Sequence, residues 1–158
     1  MDQMNNFLSR FLEISENLIK IELWIKLHPR ESKKSTYIEA YKKFANVQII
    51  MGQEQPSTFE LLYKADFHAS IHSTCHYEAL GLGTPTIILP FSGFERMLHL
   101  VSNGYATLVK TPEEMAQLVC RPSIKQVPEE VSDYFFKPNA IFNTITEIES
   151  EGFELHKI

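Results

Sequence analysis

The sequence contains very little cysteine, and this scarcity excludes one class of protein. Cys75 and Cys120 are its only two cysteines, so it cannot carry the framework of several disulfides that stabilises small secreted domains. The two thiols also lack the spacing of metal ligands. We therefore expect a reducing, cytoplasmic setting, with no metal and no cofactor.

Long apolar runs and an excess of positive charge are missing as well. No segment approaches the roughly 18 apolar residues that span a bilayer, and the first residues lack the basic start and apolar run of a signal peptide. Fifteen Lys and Arg stand against 20 Asp and Glu, for a formal charge of -5. Such a chain has no reason to attract nucleic acid over its whole surface.

Several catalytic motifs are absent. The sequence has no G-x-G-x-x-G and no Walker lysine motif, which argues against a dinucleotide enzyme and a P-loop NTPase. Ser73 does not lie in a G-x-S-x-G elbow, so a hydrolase nucleophile is not expected. His68, His72 and His76 are spaced by four. The first two fall on a predicted strand and the third on a helix, so we do not expect converging zinc ligands.

What the sequence does contain is an alternation of helical and strand patterns. Apolar-rich segments predict five strands, at 21–27, 47–51, 67–72, 86–90 and 106–109. Helical patterns and caps predict helices at 3–19, 35–45, from 58, from 73 or 74 to 82, at 94–102, from 112 and at 139–150. This alternation favours right-handed crossovers and a parallel sheet with helices on both faces.

We therefore predict an α/β fold, a Rossmann-like three-layer sandwich with a five-stranded parallel sheet in the order 2-1-3-4-5. Residues 1–158 form one domain in this interpretation, with a core at 1–120 and a C-terminal extension at 121–158. Ligands of open α/β sheets bind beyond the carboxyl ends of the strands, where the strand order reverses. The predicted order brings the turn at 28–30 and the turn at 72–74 to that place.

The second of these turns has the composition of a phosphate site. Ser73 and Thr74 stand where a strand enters a helix, and the first amides of a helix are unpaired and lie at its positive end. Glu78 shares a helix face with Thr74, so its carboxylate could accept hydrogen bonds from ribose hydroxyls. On spacing alone, an ordinary capped helix with a solvent-facing glutamate is the more frequent outcome.

Two other segments follow strands at the same predicted edge. In the turn His28-Pro29-Arg30, His28 can donate to a phosphate oxygen and Arg30 can pair with it bidentately. The loop that starts at Gly52 and Gln53 offers backbone groups to a base. A solvated turn and an ordinary loop are the alternatives.

Together these segments resemble the C-terminal, donor nucleotide-sugar-binding domain of GT-B glycosyltransferases. The resemblance is closest to bacterial capsule-polysaccharide, polysialic-acid and teichoic-acid transferases. It is carried by IKLHPRE (25–31), by ADFHASIHSTCHYEALGLGTP (65–85) and by the distance between them. It implies that His28, Ser73 and Thr74 contact the phosphate of a CMP-sugar or UDP-sugar, and that Glu78 binds the ribose. UDP-N-acetylglucosamine 2-epimerases share a stretch like the one around Glu78.

The resemblance also bears on completeness. GT-B enzymes have two Rossmann-like domains, with the acceptor site on the N-terminal one, and 158 residues have room for one. We expect a donor-binding domain for surface polysaccharide synthesis that does not complete catalysis alone, and we assign no catalytic residue. Its partner would be an acceptor domain or a second copy. The alternatives are a non-catalytic relative that binds a nucleotide or a partner, and a domain like the UDP-sugar 2-epimerases.

Overall fold

The computed structural model describes residues 2–16, 18, 20–32, 34–121, 127–140, 143 and 146. Its strands are β1 Leu23–Lys26, β2 Val47–Ile50, β3 His68–Ser70, β4 Thr86–Ile88 and β5 Ala106–Leu108. Its helices are α1 Asp2–Ser15, α2 Lys34–Tyr41, α3 Thr58–Lys64, α4 Cys75–Gly81, α5 Leu98–Ser102, α6 Pro112–Val119 and α7 Glu129–Phe135, with a 3₁₀ turn over Phe94–Met97. No helix of these residues is long and apolar enough to cross a membrane.

The strands form two parallel ladders. One joins β1 to β2, and the other has the order β3-β4-β5. The predicted α/β class with parallel strands is confirmed. The predicted single sheet of five strands is not found, because no ladder joins β1 to β3 in the described chain.

One apolar cluster includes residues from both ladders. Phe7 and Phe11 of α1 and Met115 of α6 are buried in it together with Leu27, which follows β1, and Ile87 of β4. The two ladders therefore share a core on this face, although no strand hydrogen bond connects them in the described residues.

The opposite face of the β3-β4-β5 ladder has its own cluster. Leu80 of α4, Ile88 of β4 and Leu100 of α5 are buried there, and α7 adds Val131 and Phe135. Since Ile87 faces one cluster and Ile88 the other, strand alternation in β4 is used on both sides. The prediction that this strand is buried on both faces is confirmed.

The sequence correctly predicted where α3 begins and where α4 ends. Ser57 caps α3: its Oγ accepts from the amide of Glu60, and the Glu60 carboxylate accepts from the amide of Ser57. Gly83, in the turn after α4, has φ +79°, a conformation that glycine adopts without penalty. The capping box and the glycine stop are thus confirmed.

Other boundaries differ from the prediction. The strands are shorter than the apolar runs. The next residues, Leu27 and Leu89, still donate to Ile50 and Ser70 of the adjacent strands and are buried in the core. The helix at Glu129–Phe135 was missed, although Pro128 stands immediately before it. The predicted helix at 139–150 lies largely outside the described residues.

Candidate functional site

The turns that follow β1 and β2 lie against each other. A Cβ atom added to Gly52 would be 2.5 Å from both Cα and N of Pro29, so only glycine fits at this contact. His28, Pro29 and Arg30 are exposed. The turn at 28–30 and the loop that starts at Gly52 were both predicted at one sheet edge, and in the structure they are in contact.

The imidazole of His28 is oriented by its own turn. Its Nδ1 accepts a hydrogen bond of 3.1 Å from the amide of Arg30. In the neutral ring, an accepting Nδ1 leaves the proton on Nε2. His28 therefore offers an exposed Nε2–H donor, which is the group that the predicted phosphate contact needs.

The loop after β2 is held by two side chains. The Nζ of Lys26 donates to the carbonyl oxygens of Glu54 at 2.5 Å and of Pro56 at 2.9 Å. The carboxylate of Glu54 accepts from Lys34 and from the amide of Met51, and these bonds hold the pKa of Glu54 below its ordinary value. Lys26 is thus engaged with the loop that contains the predicted base-binding pair.

The turn between β3 and α4 corrects part of the predicted phosphate cradle. The amide of Cys75 already donates to Oγ of Ser73 at 3.1 Å, and the amide of His76 donates to the Ser73 carbonyl. These amides are therefore not open to a ligand. Among the described residues, the amides of Ser73 and Thr74 have no acceptor, and the Thr74 side chain makes no capping bond. Of the predicted turn, the Ser73 and Thr74 amides are open and the Cys75 amide is engaged.

Glu78 lies with Ser73 and Cys75 in a small polar cluster. Burial raises the pKa of the Cys75 thiol, the hydrogen bond with Ser73 opposes this shift, and the nearby Glu78 carboxylate adds to it. Ser73 and Glu78 are therefore neighbours of one thiol. Cys75 was not among the predicted site residues. The signal that could have found it is its spacing from Glu78, since residues three apart on a helix are neighbours.

His72 connects the same turn to the segment after β4. A Cβ atom added to Gly93 would lie 2.4 Å from Cδ2 of His72, and Gly93 has φ +101°. Glycine is needed here for both the conformation and the space. His72 is exposed and adds an imidazole next to Ser73, which sequence reasoning did not assign to the site.

Of the three histidines spaced by four, His68 and His76 are in contact. The ring centroids of His68 and His76 are 5.0 Å apart, and Nδ1 of His76 is hydrogen-bonded to Oγ1 of Thr86. Burial lowers the pKa of His68 to about 3 and that of His76 to about 4. These lowered pKa values keep both rings neutral at pH 7. The described residues contain no group of three metal-ligand side chains.

A cavity of about 310 Å³ lies at the amino ends of the strands of the β3-β4-β5 ladder, away from the turns described above. Its lining includes residues that precede or begin strands, such as Pro85 before β4 and Tyr105 before β5. None of its lining side chains is charged. A phosphate ligand therefore suits the carboxyl-end turns better, because charge-assisted donors are available there.

The predicted site is therefore assembled as two groups of contacts. The first joins the turn at 28–30 to the loop at Gly52, and the second joins Ser73 to Glu78 and Cys75. No hydrogen bond between the turns at 28–30 and 73–74 occurs within the described part of the chain. Comparison of the chain with protein-family models, with curated proteins and with solved structures gave no match.

Proposed function

We propose that this chain binds a CMP-linked or UDP-linked sugar and is the donor domain of a GT-B-type glycosyltransferase. One observation carries the proposal. Two amides at Ser73 and Thr74 have no acceptor in the described residues, and Glu78 lies one helical turn further on. Backbone donors beside a carboxylate at this spacing suit a phosphate that is followed by a ribose.

Each group then has a defined task. In this proposal the phosphate oxygens accept from the Ser73 and Thr74 amides, and Nε2–H of His28 and the guanidinium of Arg30 donate from the turn after β1. Glu78 accepts from ribose hydroxyls. In a transfer reaction the leaving nucleotide gains negative charge, and positioned donors of this kind stabilise that charge.

Transfer also needs an acceptor held in line with the sugar. The resemblance to GT-B enzymes implies that the acceptor site lies on another domain. Positioning the two reactants accounts for much of the rate of a transfer reaction. We expect nucleotide binding by the purified chain and no sugar transfer until an acceptor domain is supplied.

A second candidate, a relative that binds a partner without catalysis, is favoured by exposed aromatic side chains. Tyr63 is 74% exposed, Tyr134 is 72% exposed and Phe59 is 51% exposed. Phe59 stacks on Phe136, which is also exposed, and a contiguous exposed apolar area often marks an association surface. Sedimentation, which gives the oligomeric state, and nucleotide titration together separate the two candidates. A dimer that does not bind nucleotide favours the second candidate.

Calorimetric titration tests the proposed function. CMP, CDP, UMP and UDP should bind, and 2′-deoxy analogues should bind more weakly because Glu78 loses a ribose hydroxyl. Adenine nucleotides serve as the comparison for base selectivity. Absence of binding to all four pyrimidine nucleotides would remove the proposal.

Protection of Cys75 from a thiol reagent gives an independent measurement. Cys75 neighbours Ser73 and Glu78, so a nucleotide in the proposed site should slow its alkylation several-fold. Cys120 is also a half-buried free thiol, on the far end of α6, and is the internal control. Mass spectrometry of both peptides, with and without UDP, checks this expectation. Equal protection of the two thiols would indicate a general change in accessibility instead of binding at this turn.

A further inference from the structure

The loop after β2 is organised by a lysine of the neighbouring strand. Lys26 lies on β1, and its ammonium reaches across to two carbonyl oxygens of the loop, those of Glu54 and Pro56. A charged donor that serves two carbonyls makes hydrogen bonds stronger than neutral ones. These two bonds fix the second half of the loop against β1.

The first half of the loop is fixed from the other side. The Glu54 carboxylate accepts from the amide of Met51 at 2.9 Å, and the Glu54 amide donates to the Met51 carbonyl at 3.0 Å. Lys34 of α2 closes the arrangement with an ion pair of 2.7 Å to Glu54. Residues 51–56 thus form a turn that is held at both ends.

Between these fixed ends, one pair of residues keeps its backbone groups open. Gly52 and Gln53 make no backbone hydrogen bond within the described part of the chain, and Gln53 is exposed. Gly52 lies directly against Pro29, next to His28. The loop therefore presents backbone donors and acceptors beside the proposed phosphate contact.

We propose that Lys26 is a positioning residue, which holds the 51–56 loop so that the Gly52 and Gln53 backbone groups read the base of a pyrimidine nucleotide. This inference rests on the proposed function. It assigns Lys26 to base selectivity and gives it no contact with phosphate, because its ammonium is already engaged by the loop. Loss of Lys26 should affect binding of the nucleoside part more than binding of phosphate.

The test compares Lys26→Met, Lys26→Arg and the control Lys20→Met, which removes an exposed charge that precedes β1. Two quantities are measured: hydrogen exchange of the amides in 51–56, and affinity for UDP, CMP and inorganic pyrophosphate. In Lys26→Met, exchange in the loop should accelerate and affinity for UDP and CMP should fall about tenfold, the scale of one lost charged hydrogen bond. Pyrophosphate affinity should change less than twofold. Lys26→Arg should recover most of the loss, and Lys20→Met should match the unmodified chain.

The possible failures are distinguishable. Unchanged loop exchange in Lys26→Met, or an equal loss of nucleotide and pyrophosphate affinity, overturns the positioning role while the proposed function stands. An unmodified chain that binds none of the three probes overturns the proposed function, and the base-reading role of Lys26 falls with it.

Discussion

Acidification from pH 7 to pH 5 should lower the free energy of unfolding by roughly 2 kcal/mol through His76 alone. His76 is fully buried, and burial lowers its pKa in the folded chain to about 4. In the unfolded chain the ring regains an ordinary pKa near about 6.5. His68 acts in the same direction, but part of its surface remains in contact with solvent, so His76 carries the prediction.

The sign follows from the number of protons bound. Between the two pKa values of His76 the unfolded chain binds more protons than the folded one, so stability rises with pH and is lost on acidification. Each pH unit inside that window changes stability by about 1.4 kcal/mol for one histidine. The lowered pKa values of Glu13, Glu54 and Glu60 have their effect mostly below pH 5, because their unfolded values lie near 4.5.

Urea denaturation at several pH values measures this slope, and His76→Asn is the informative variant. Asparagine keeps a polar atom near Thr86 and cannot titrate in this range, so the slope between pH 7 and pH 5 should flatten even though stability at pH 7 is lower. Because His68 still contributes to the slope, only a slope as steep as that of the unmodified chain in His76→Asn would contradict the assignment.

Nucleotide affinity should fall about 10- to 100-fold in Ser73→Ala, because a hydrogen bond to a charged group is worth about 1.5–3 kcal/mol. The hydroxyl of Ser73 accepts from the Cys75 amide and is hydrogen-bonded to the Cys75 thiol. A bound phosphate would take the Ser73 O–H from that thiol as a stronger, charged acceptor. Alanine removes that donor and also releases the Cys75 amide from its acceptor. Titration with UDP and CMP checks the result.

Glu78→Gln distinguishes the ribose contact from the phosphate contact. Glutamine keeps the size of the side chain and changes its acceptor capacity, so UDP affinity should fall by more than 2′-deoxy-UDP affinity, because the deoxy analogue has only the 3′-hydroxyl left to lose. Ser102→Ala, at the end of α5, is the matched control for Ser73→Ala. Equal nucleotide affinity in Ser73→Ala, Glu78→Gln, Ser102→Ala and the unmodified chain would exclude the turn at 73–78 as the site.

Features that depend on near neighbours in sequence were predictable. The capping box of Ser57 and Glu60 needs only four consecutive residues, and the burial of β4 follows from its uninterrupted apolar run. The helix after Pro128 was missed because Pro128 and Pro138 indicate breaks, and the apolar side of so short a helix consists of little more than Val131 and Phe135. The separation of the strands into two ladders depends on tertiary packing, which no local pattern encodes.

The candidate site shows the same division. Sequence reasoning selected the turns at 28–30 and 73–74 because polar residues follow apolar strands. It missed the engagement of Lys26 with the loop, since Lys26 and Pro56 are far apart in sequence. It also missed the approach of His68 to His76, because one lies on a strand and the other on a helix and their distance depends on how the two elements pack.

The division of the strands into two ladders has a consequence for cooperativity. In each ladder, the segments that follow two paired strands meet at a glycine. Gly52 contacts Pro29 after β2 and β1, and Gly93 contacts His72 after β4 and β3. Apolar side chains join the ladders on the shared face, and no strand hydrogen bond crosses between them in the described chain. Partial opening can therefore separate β1 and β2 from the rest without breaking a ladder, and native-state exchange should resolve them as a unit that opens at lower free energy than β3, β4 and β5.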